Sequence, residues 1–352
     1  MSLTCGIIGL PNAGKSTVFN ALSRAGAETA PYPFTTIKPN HGIAPVPDAR
    51  LERLAALLRP PKVVPATVEF VDIAGLVKGA SQGEGLGNQF LGHVRTVSAL
   101  AHVVRLFGGQ VAHPYGSPDP RRDVGIILTE LALADLEQLE RRMDKLARRA
   151  KVGDKAAAAE LEEARGLHEA LGRGEAVCAG APGAAELLSA KPVVYVANVD
   201  EAELKTRRLL PQLEAVVGGA PLVVMCADLE AEMEALEPAE RAELLGSLGL
   251  AEPGGAALIR AAYRALGLIT FYTVVGAEMR AWPLKEGARA PEAAGKIHTD
   301  MERGFIRAEV VGAEALLAAG GMAEARERGL IRLEGRDYVV ADGDVVHFRF
   351  TV

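Results

Sequence analysis

Residues 9–17, Gly-Leu-Pro-Asn-Ala-Gly-Lys-Ser-Thr, place two glycines, a lysine and a hydroxyl in the order G-x-x-x-x-G-K-[ST]. The chemistry suited to that order is the grip of a triphosphate tail. Glycines let the backbone curl so that successive N–H groups face one anion, and a following helix N-terminus adds partial positive charge. Lys15 then reaches the β- and γ-phosphates, the Ser16 hydroxyl ligates Mg²⁺, and Asn12, Ala13, Gly14 and Thr17 complete the cradle. A glycine-rich turn with a chance lysine is the bland alternative. The context argues against it: Cys5-Gly6-Ile7-Ile8 reads as a buried strand before the turn, and Val18-Phe19-Asn20-Ala21-Leu22 as a helix after it.

Further residues separate a nucleotide switch from other phosphate binders. Asp72-Ile73-Ala74-Gly75 closes a second apolar run as D-x-x-G; its aspartate holds Mg²⁺ through water and the Gly75 N–H contacts the γ-phosphate. Tyr32-Pro33-Phe34-Thr35-Thr36-Ile37 lies between the two motifs, where a segment with a Mg²⁺-ligating threonine is expected. Asn198-Val199-Asp200-Glu201 closes a later strand, where a base-reading loop belongs. A guanine reader needs N-K-x-D, and here Val199 replaces the lysine and Glu201 the aspartate. Adenine presents an acceptor at N1, so losing the guanine code favours ATP over GTP.

These residues need a sheet to hold them. Val68–Ile73, Ala101–Phe107, Pro192–Asn198 and Pro221–Cys226 are near-continuous apolar runs separated by helical patterns. That alternation predicts an α/β fold, a mostly parallel sheet covered on both faces, with ligands at the carboxyl ends of its strands. Between 121 and 175 the pattern changes to two apolar stripes, Leu136, Leu139, Met143, Leu146 and Ala150, then Ala157, Leu161, Ala164 and Leu171. This predicts an antiparallel coiled-coil hairpin, inserted as an arm projecting roughly 40 Å. A β-rich α+β domain follows from 267 to 352, leaving 1–120 and 176–266 as the P-loop domain.

At 352 residues, 49% hydrophobic and 24% charged, the chain has the composition of an ordinary globular protein of two or three domains. Cys5, Cys178 and Cys226 fit neither a zinc site nor a disulfide framework. No apolar run approaches membrane-spanning length, so a cytoplasmic location without membrane contact is expected. The net charge of −6 argues against a wholesale nucleic-acid coat; no DNA partner is expected, and any RNA contact must come from a local basic patch. Arg141, Arg142, Lys145, Arg148, Arg149, Lys151 and Lys155 on the arm are such a patch, set against the plainer reading of a solvated coiled-coil face.

Together the motif at 9–17, the Tyr32–Ile37 segment, Asp72 to Ala80, the Asn198–Glu201 loop and the terminal Phe348-Arg349-Phe350 resemble the Obg-like ATPase family of the YchF type over nearly the whole chain. The resemblance implies an OBG-type G domain, a coiled-coil arm and a C-terminal TGS domain of β-grasp type. It implies slow Mg²⁺-dependent hydrolysis with ATP preferred, and association with the ribosome, by way of the large subunit or rRNA. It makes Thr36 the second Mg²⁺ ligand and places Phe107, Asn198 and Val199 against the nucleoside. Leu76 stands where a Ras-like enzyme keeps its water-orienting glutamine, so turnover should be slow unless another group supplies that function. In the resembled family a histidine on a loop after the Phe107 strand is implicated, which makes His113 the candidate; His93 and His102 are its rivals, and a solvated loop histidine is the competing reading. Asn12 resembles the asparagine that binds K⁺ in cation-dependent P-loop proteins. His298 fits the TGS pattern and is read as structural. An Obg-type GTPase and a non-hydrolysing ATP scaffold remain alternatives; a metabolic kinase leaves the D-x-x-G unexplained.

Overall fold

The computed structural model describes residues 3–27, 35–38, 40–73, 86–108, 111–178, 180–234 and 236–351. In chain order the elements begin β1 (Thr4–Ile8), α1 (Lys15–Ala27), β2 (Thr35–Lys38), β3 (His41–Pro45), α2 (Ala49–Leu58), β4 (Lys62–Val64), β5 (Thr67–Asp72), α3 (Leu86–Thr96) and β6 (Ala99–Arg105). Two long helices follow, α4 (Pro120–Lys151) and α5 (Lys155–Gly172). Next come β7 (Val193–Asn198), α6 (Glu201–Thr206), α7 (Leu210–Val217), β8 (Leu222–Met225), α8 (Ala227–Glu234), α9 (Pro238–Ser247) and α10 (Gly254–Ala265). The C-terminal part comprises β9 (Leu268–Val275), β10 (Glu278–Lys285), α11 (Ala290–Ile297), α12 (Thr299–Arg303), β11 (Phe305–Gly312), α13 (Ala313–Ala319), α14 (Met322–Glu327), β12 (Arg332–Glu334) and β13 (Asp344–Phe350).

The chain divides into two compact units, one built mainly from the first 25 residues and 69–262, the other from 43–68 and 263–352. A seven-stranded sheet in the order β2-β3-β5-β1-β6-β7-β8 takes most of its residues from the first. β1 pairs in parallel with β5 and β6, and β6, β7 and β8 continue the parallel run. Every residue of β1 and β6 is buried, as a central parallel strand covered on both faces demands. Bonds from Asp72 N to Asn40 O and from Val46 N to Ala66 O run in opposite sequence sense, which makes β3 antiparallel to β5. Among the described residues, apolar cores pack on this sheet. One unites Phe90, Leu91 and Val94 of α3 with Ile127 and Leu131 of α4; another gathers Leu210, Leu213, Leu229 and Leu245 from α7, α8 and α9.

Asp119 starts α4 by accepting from the Arg122 N–H, with Pro120 as its first residue. Only the outer part of α4 is an arm, because Val124, Ile127 and Leu131 belong to the sheet's own cores. Beyond them Leu139 and Leu146 close on Ala157, Leu161, Ala164 and Leu167 of α5, and the hairpin turns at Gly153, whose φ is +91°. Asp135, fully buried, accepts from Leu188 N, Ser189 N and Ser189 Oγ at 2.8, 2.8 and 2.7 Å, fastening the returning chain to α4.

The second unit is a six-stranded sheet, β12-β11-β13-β9-β10-β4. β9 and β10 form an antiparallel hairpin, β11 pairs antiparallel with β12 and β13, and β13 lies parallel to β9. Without β4 this is the β-grasp order, with α11 packed over Phe271, Phe305 and Phe348. β4 is the departure from the sequence reading, which left 43–68 in the P-loop domain. It extends the β10 edge in parallel, with Lys62 paired to Glu278 at 2.6 Å. Asp48, the N-cap of α2, receives the Tyr272 hydroxyl and the Arg50 guanidinium, and Arg50 also binds Asp342 at 2.8 Å. His298 accepts from Asp300 N at 3.2 Å as the N-cap of α12, the structural part expected of it.

Candidate nucleotide-binding site

The turn after β1 has the backbone that its residue types allow. Gly9, Asn12 and Gly14 take φ of +153°, +61° and +88°, and α1 opens at Lys15. Helix dipole and free first-turn N–H groups therefore face the concave side of residues 10–14. Lys15 is 8% exposed and its Nζ donates to Leu10 O at 2.9 Å, folding the ammonium back over the loop. Burial lowers its pKa and the Asp72 charge works against that. The Ser16 hydroxyl donates to Asp72 Oδ2 at 3.0 Å. Burial raises the Asp72 carboxyl, opposed by the Ser16 hydrogen bond and the Lys15 charge.

The donor set suits Mg²⁺. A hydroxyl whose hydrogen is taken by a carboxylate keeps its lone pairs free for a hard cation, and the carboxylate sits where it holds a water of the ion's shell. Ser16 and Asp72 are so arranged, and a bound Mg²⁺ would neutralise phosphate charge there. Gly75 and Leu76 lie outside the described residues, as does the side chain of Thr36, whose backbone belongs to β2.

Asn198, at the end of β7, sends its Nδ2 to Ala13 O at 3.0 Å, while its Oδ1 accepts from Ala227 N at 3.4 Å. Its amide therefore braces the phosphate loop. The Val199 side chain is buried in the core beside Leu209 and Cys226 and its N–H donates to Met225 O at 2.9 Å, so this residue offers a nucleoside only its carbonyl. Glu201 is the exposed first residue of α6, paired with Lys205 at 3.5 Å, and Asp200 caps the helix. Phe107 is half-buried with one face under the Arg105 guanidinium, 4.4 Å from the ring centroid.

His113 is not a solvated loop histidine. Its Nδ1 accepts from Tyr115 N at 3.1 Å, so the proton sits on Nε2, which donates to Asp123 Oδ2 at 3.1 Å. Asp123 also takes Asp119 N at 3.2 Å and Arg122 Nε at 2.9 Å. His113 and Asp123 line, with Leu10, Ala13, His102 and Arg105, a cavity of about 10 Å³, the size of one water. Of the two rivals, His93 is exposed in the last turn of α3, whereas His102 is wholly buried in β6 with Nδ1 unpartnered among the described residues. Asn12 Nδ2 donates to Ala112 O at 2.9 Å, which ties the phosphate loop to the histidine segment.

Arg105 and Asp123 are the site residues that spacing alone did not single out. Arg105 sits inside the run Ala101–Phe107, and a cation among mostly apolar residues was the available signal.

Residues 4–148 match the family described as 50S ribosome-binding GTPase, and residues 268–351 match the YchF GTPase C-terminal family, described as a protein of unknown function. The chain is 49% identical over 367 residues to the ribosome-binding ATPase YchF of Bacillus subtilis (strain 168), with both chains covered in full. It belongs to the YchF family. The Escherichia coli O157:H7 YchF, also called a ribosome-binding ATPase, is 47% identical over 363 residues with both chains again covered in full. The Schizosaccharomyces pombe YchF GTPase structure superposes with a TM-score of 0.87 at 33% identity, covering 99% of this chain and 98% of that one.

Proposed function

We propose that this YchF-family chain is a ribosome-associated nucleotide switch that binds Mg²⁺·ATP and hydrolyses it slowly. The observation that carries the reading is the Ser16–Asp72 hydrogen bond at the mouth of a phosphate loop whose lysine is already folded inward. Lys15 holds the β- and γ-phosphates, Gly14 to Thr17 supply main-chain N–H groups, and Ser16, Thr36 and Asp72 hold the Mg²⁺, Asp72 through water. The Gly75 N–H meets the γ-phosphate. Phe107 offers the base the face turned away from Arg105, with Asn198 and the Val199 carbonyl beside it, and Glu201 in place of the guanine-reading aspartate leaves ATP preferred. Asn12 Oδ1, with no partner among the described residues, suits K⁺. The location is cytoplasmic; no helix among the described residues is long and apolar enough to cross a membrane.

His113 positions the attacking water after leaving Asp123, which gives slow turnover a physical cause: two hydrogen bonds must break first. That same tether favours a second reading, a scaffold that holds ATP without hydrolysing it. Lys145, Arg148, Lys151 and Lys155 at the arm's tip, exposed and unpartnered among the described residues, meet the rRNA backbone of the large subunit. Arg141, Arg142 and Arg149 are engaged with Glu137, Glu160 and Asp154. The TGS assignment of the C-terminal domain rests on the resemblance and the β-grasp order.

Phosphate release by the purified chain, with ATP or GTP and with or without ribosomes, tests the switch. Turnover of ATP above GTP, abolished by Lys15→Ala and lowered at least several-fold by His113→Ala with nucleotide affinity kept, is expected. No release under any condition leaves the scaffold.

A further inference from the structure

Arg105 is 3% exposed at the carboxyl end of β6, and no carboxylate pairs with it among the described residues. Its guanidinium is spent on main-chain oxygens instead. Nε donates to Phe107 O at 3.1 Å, Nη2 to both Gly108 O at 3.1 Å and Val111 O at 2.9 Å, and Nη1 to Asn12 O at 3.4 Å. Four of its five N–H groups are thereby used, and its plane covers one face of Phe107. Asn12 returns the connection by donating to Ala112 O, the carbonyl just before His113.

One side chain thus grips three things at once: the phosphate loop at Asn12, the Phe107 ring, and the segment leading to His113. A lone buried cation held only by carbonyl dipoles is a poor way to gain stability. It is a good way to make two loops move as one, since a rigid planar fork fixes the distances among its acceptors. A lysine offers three donors on one atom and cannot span this set.

We propose that Arg105 is a positioning residue that transmits occupancy of the phosphate loop to the segment carrying His113. A triphosphate that draws residues 10–14 around itself moves the Asn12 carbonyl, and Arg105 carries that movement to Phe107, Gly108 and Val111. The catalytic consequence rests on the reading of His113 given above; the mechanical coupling does not.

Amide hydrogen exchange on the full chain, with and without Mg²⁺ and a non-hydrolysable ATP analogue, reads the coupling directly. In the wild type the analogue should slow exchange in peptides covering both 9–17 and 107–113. In Arg105→Lys the first peptide should keep its protection while the second loses most of its response, at least about threefold, as expected when a shared contact is removed. Turnover should fall about tenfold with nucleotide affinity changed less than about threefold, the signature of a defect beyond binding. In a His113→Ala background, Arg105→Lys should cost nothing more. Equal loss of protection in both peptides, or a multiplicative loss with His113→Ala, overturns the proposal. So does a wild-type response confined to 9–17, which needs no variant to fold. Unchanged turnover in His113→Ala alone removes the catalytic reading and leaves the exchange result to decide the coupling.

Discussion

The side-chain amide of Asn198 lies 3.0 Å from the Ala13 carbonyl, and a Cβ placed on Gly14 would stand 2.1 Å from the same Nδ2 atom. The end of β7 and the phosphate loop therefore fit together only because residue 14 has no side chain. Its φ of +88° adds a second reason, since L side chains rarely adopt that backbone.

Gly14→Ala should accordingly weaken Mg²⁺·ATP binding by at least about tenfold, from a clash together with left-handed strain of about 1–2 kcal/mol. Asn198→Ala removes the brace but makes room. The double variant should bind better than Gly14→Ala alone, a coupling that calorimetric titration of the four proteins measures. Strictly additive losses would show that the two residues do not meet in solution.

Much of this site was legible because it is local. The phosphate loop, its strand and its helix occupy contiguous residues, and Asp72 and Asn198 sit at the ends of apolar runs that parallel pairing places beside it. What spacing concealed depends on long-range partners. Arg105 read as one more residue of the Ala101–Phe107 strand, because its acceptors are backbone oxygens, which carry no residue signature. His113 sat in a polar, glycine-containing segment, and only the fold brings Asp123 under its ring. The segment 43–68 went unrecognised as part of the C-terminal unit because β4 is a three-residue edge strand with no pattern of its own. Its anchors, Asp48 with Tyr272 and Arg50 with Asp342, lie more than two hundred residues apart in sequence.

Ser16→Ala isolates the metal. It removes the hydroxyl that donates to Asp72 without touching the backbone cradle. Nucleotide affinity in EDTA should stay within about twofold of wild type, while the gain on adding Mg²⁺ should shrink by about tenfold, the scale of lost metal-site contacts. Fluorescent-nucleotide titrations with and without Mg²⁺ separate the two, and an undiminished Mg²⁺ effect would remove Ser16 from the metal shell.

His102 gives the fold an acid limit. Burial, with the nearby Lys15 charge as a smaller cause, lowers its pKa to about 3 from an ordinary 6.5. The folded state keeps the ring neutral while the unfolded chain protonates near 6.5, so stability is full above that pH and falls on acidification toward 3. One proton of difference corresponds to about 1.4 kcal/mol per pH unit. His102→Gln should flatten the drop in thermal midpoint between pH 6.5 and 5 relative to wild type, whatever its stability at neutral pH. Parallel slopes would mean that the ring is protonated in the native protein.

The arm supplies the last test. Lys145, Arg148, Lys151 and Lys155 are exposed, whereas the seam that holds the hairpin together runs through Leu139, Leu146, Ala157 and Leu161. Reversing all four cations to glutamate leaves that seam intact and should leave basal ATP turnover unchanged, because none of them lines the nucleotide site. If the tip rests on the rRNA backbone, each lost phosphate contact lowers the dependence of log K on log salt by about 0.7–0.9. Co-sedimentation with ribosomes across a salt series should show weaker binding and a slope reduced by two or more. The exposed Val152 at the turn, 85% accessible, would still be presented, so a purely apolar contact would survive the charge reversal. Unaltered affinity with an unaltered slope would take the basic cluster out of ribosome recognition and leave it a solvated surface.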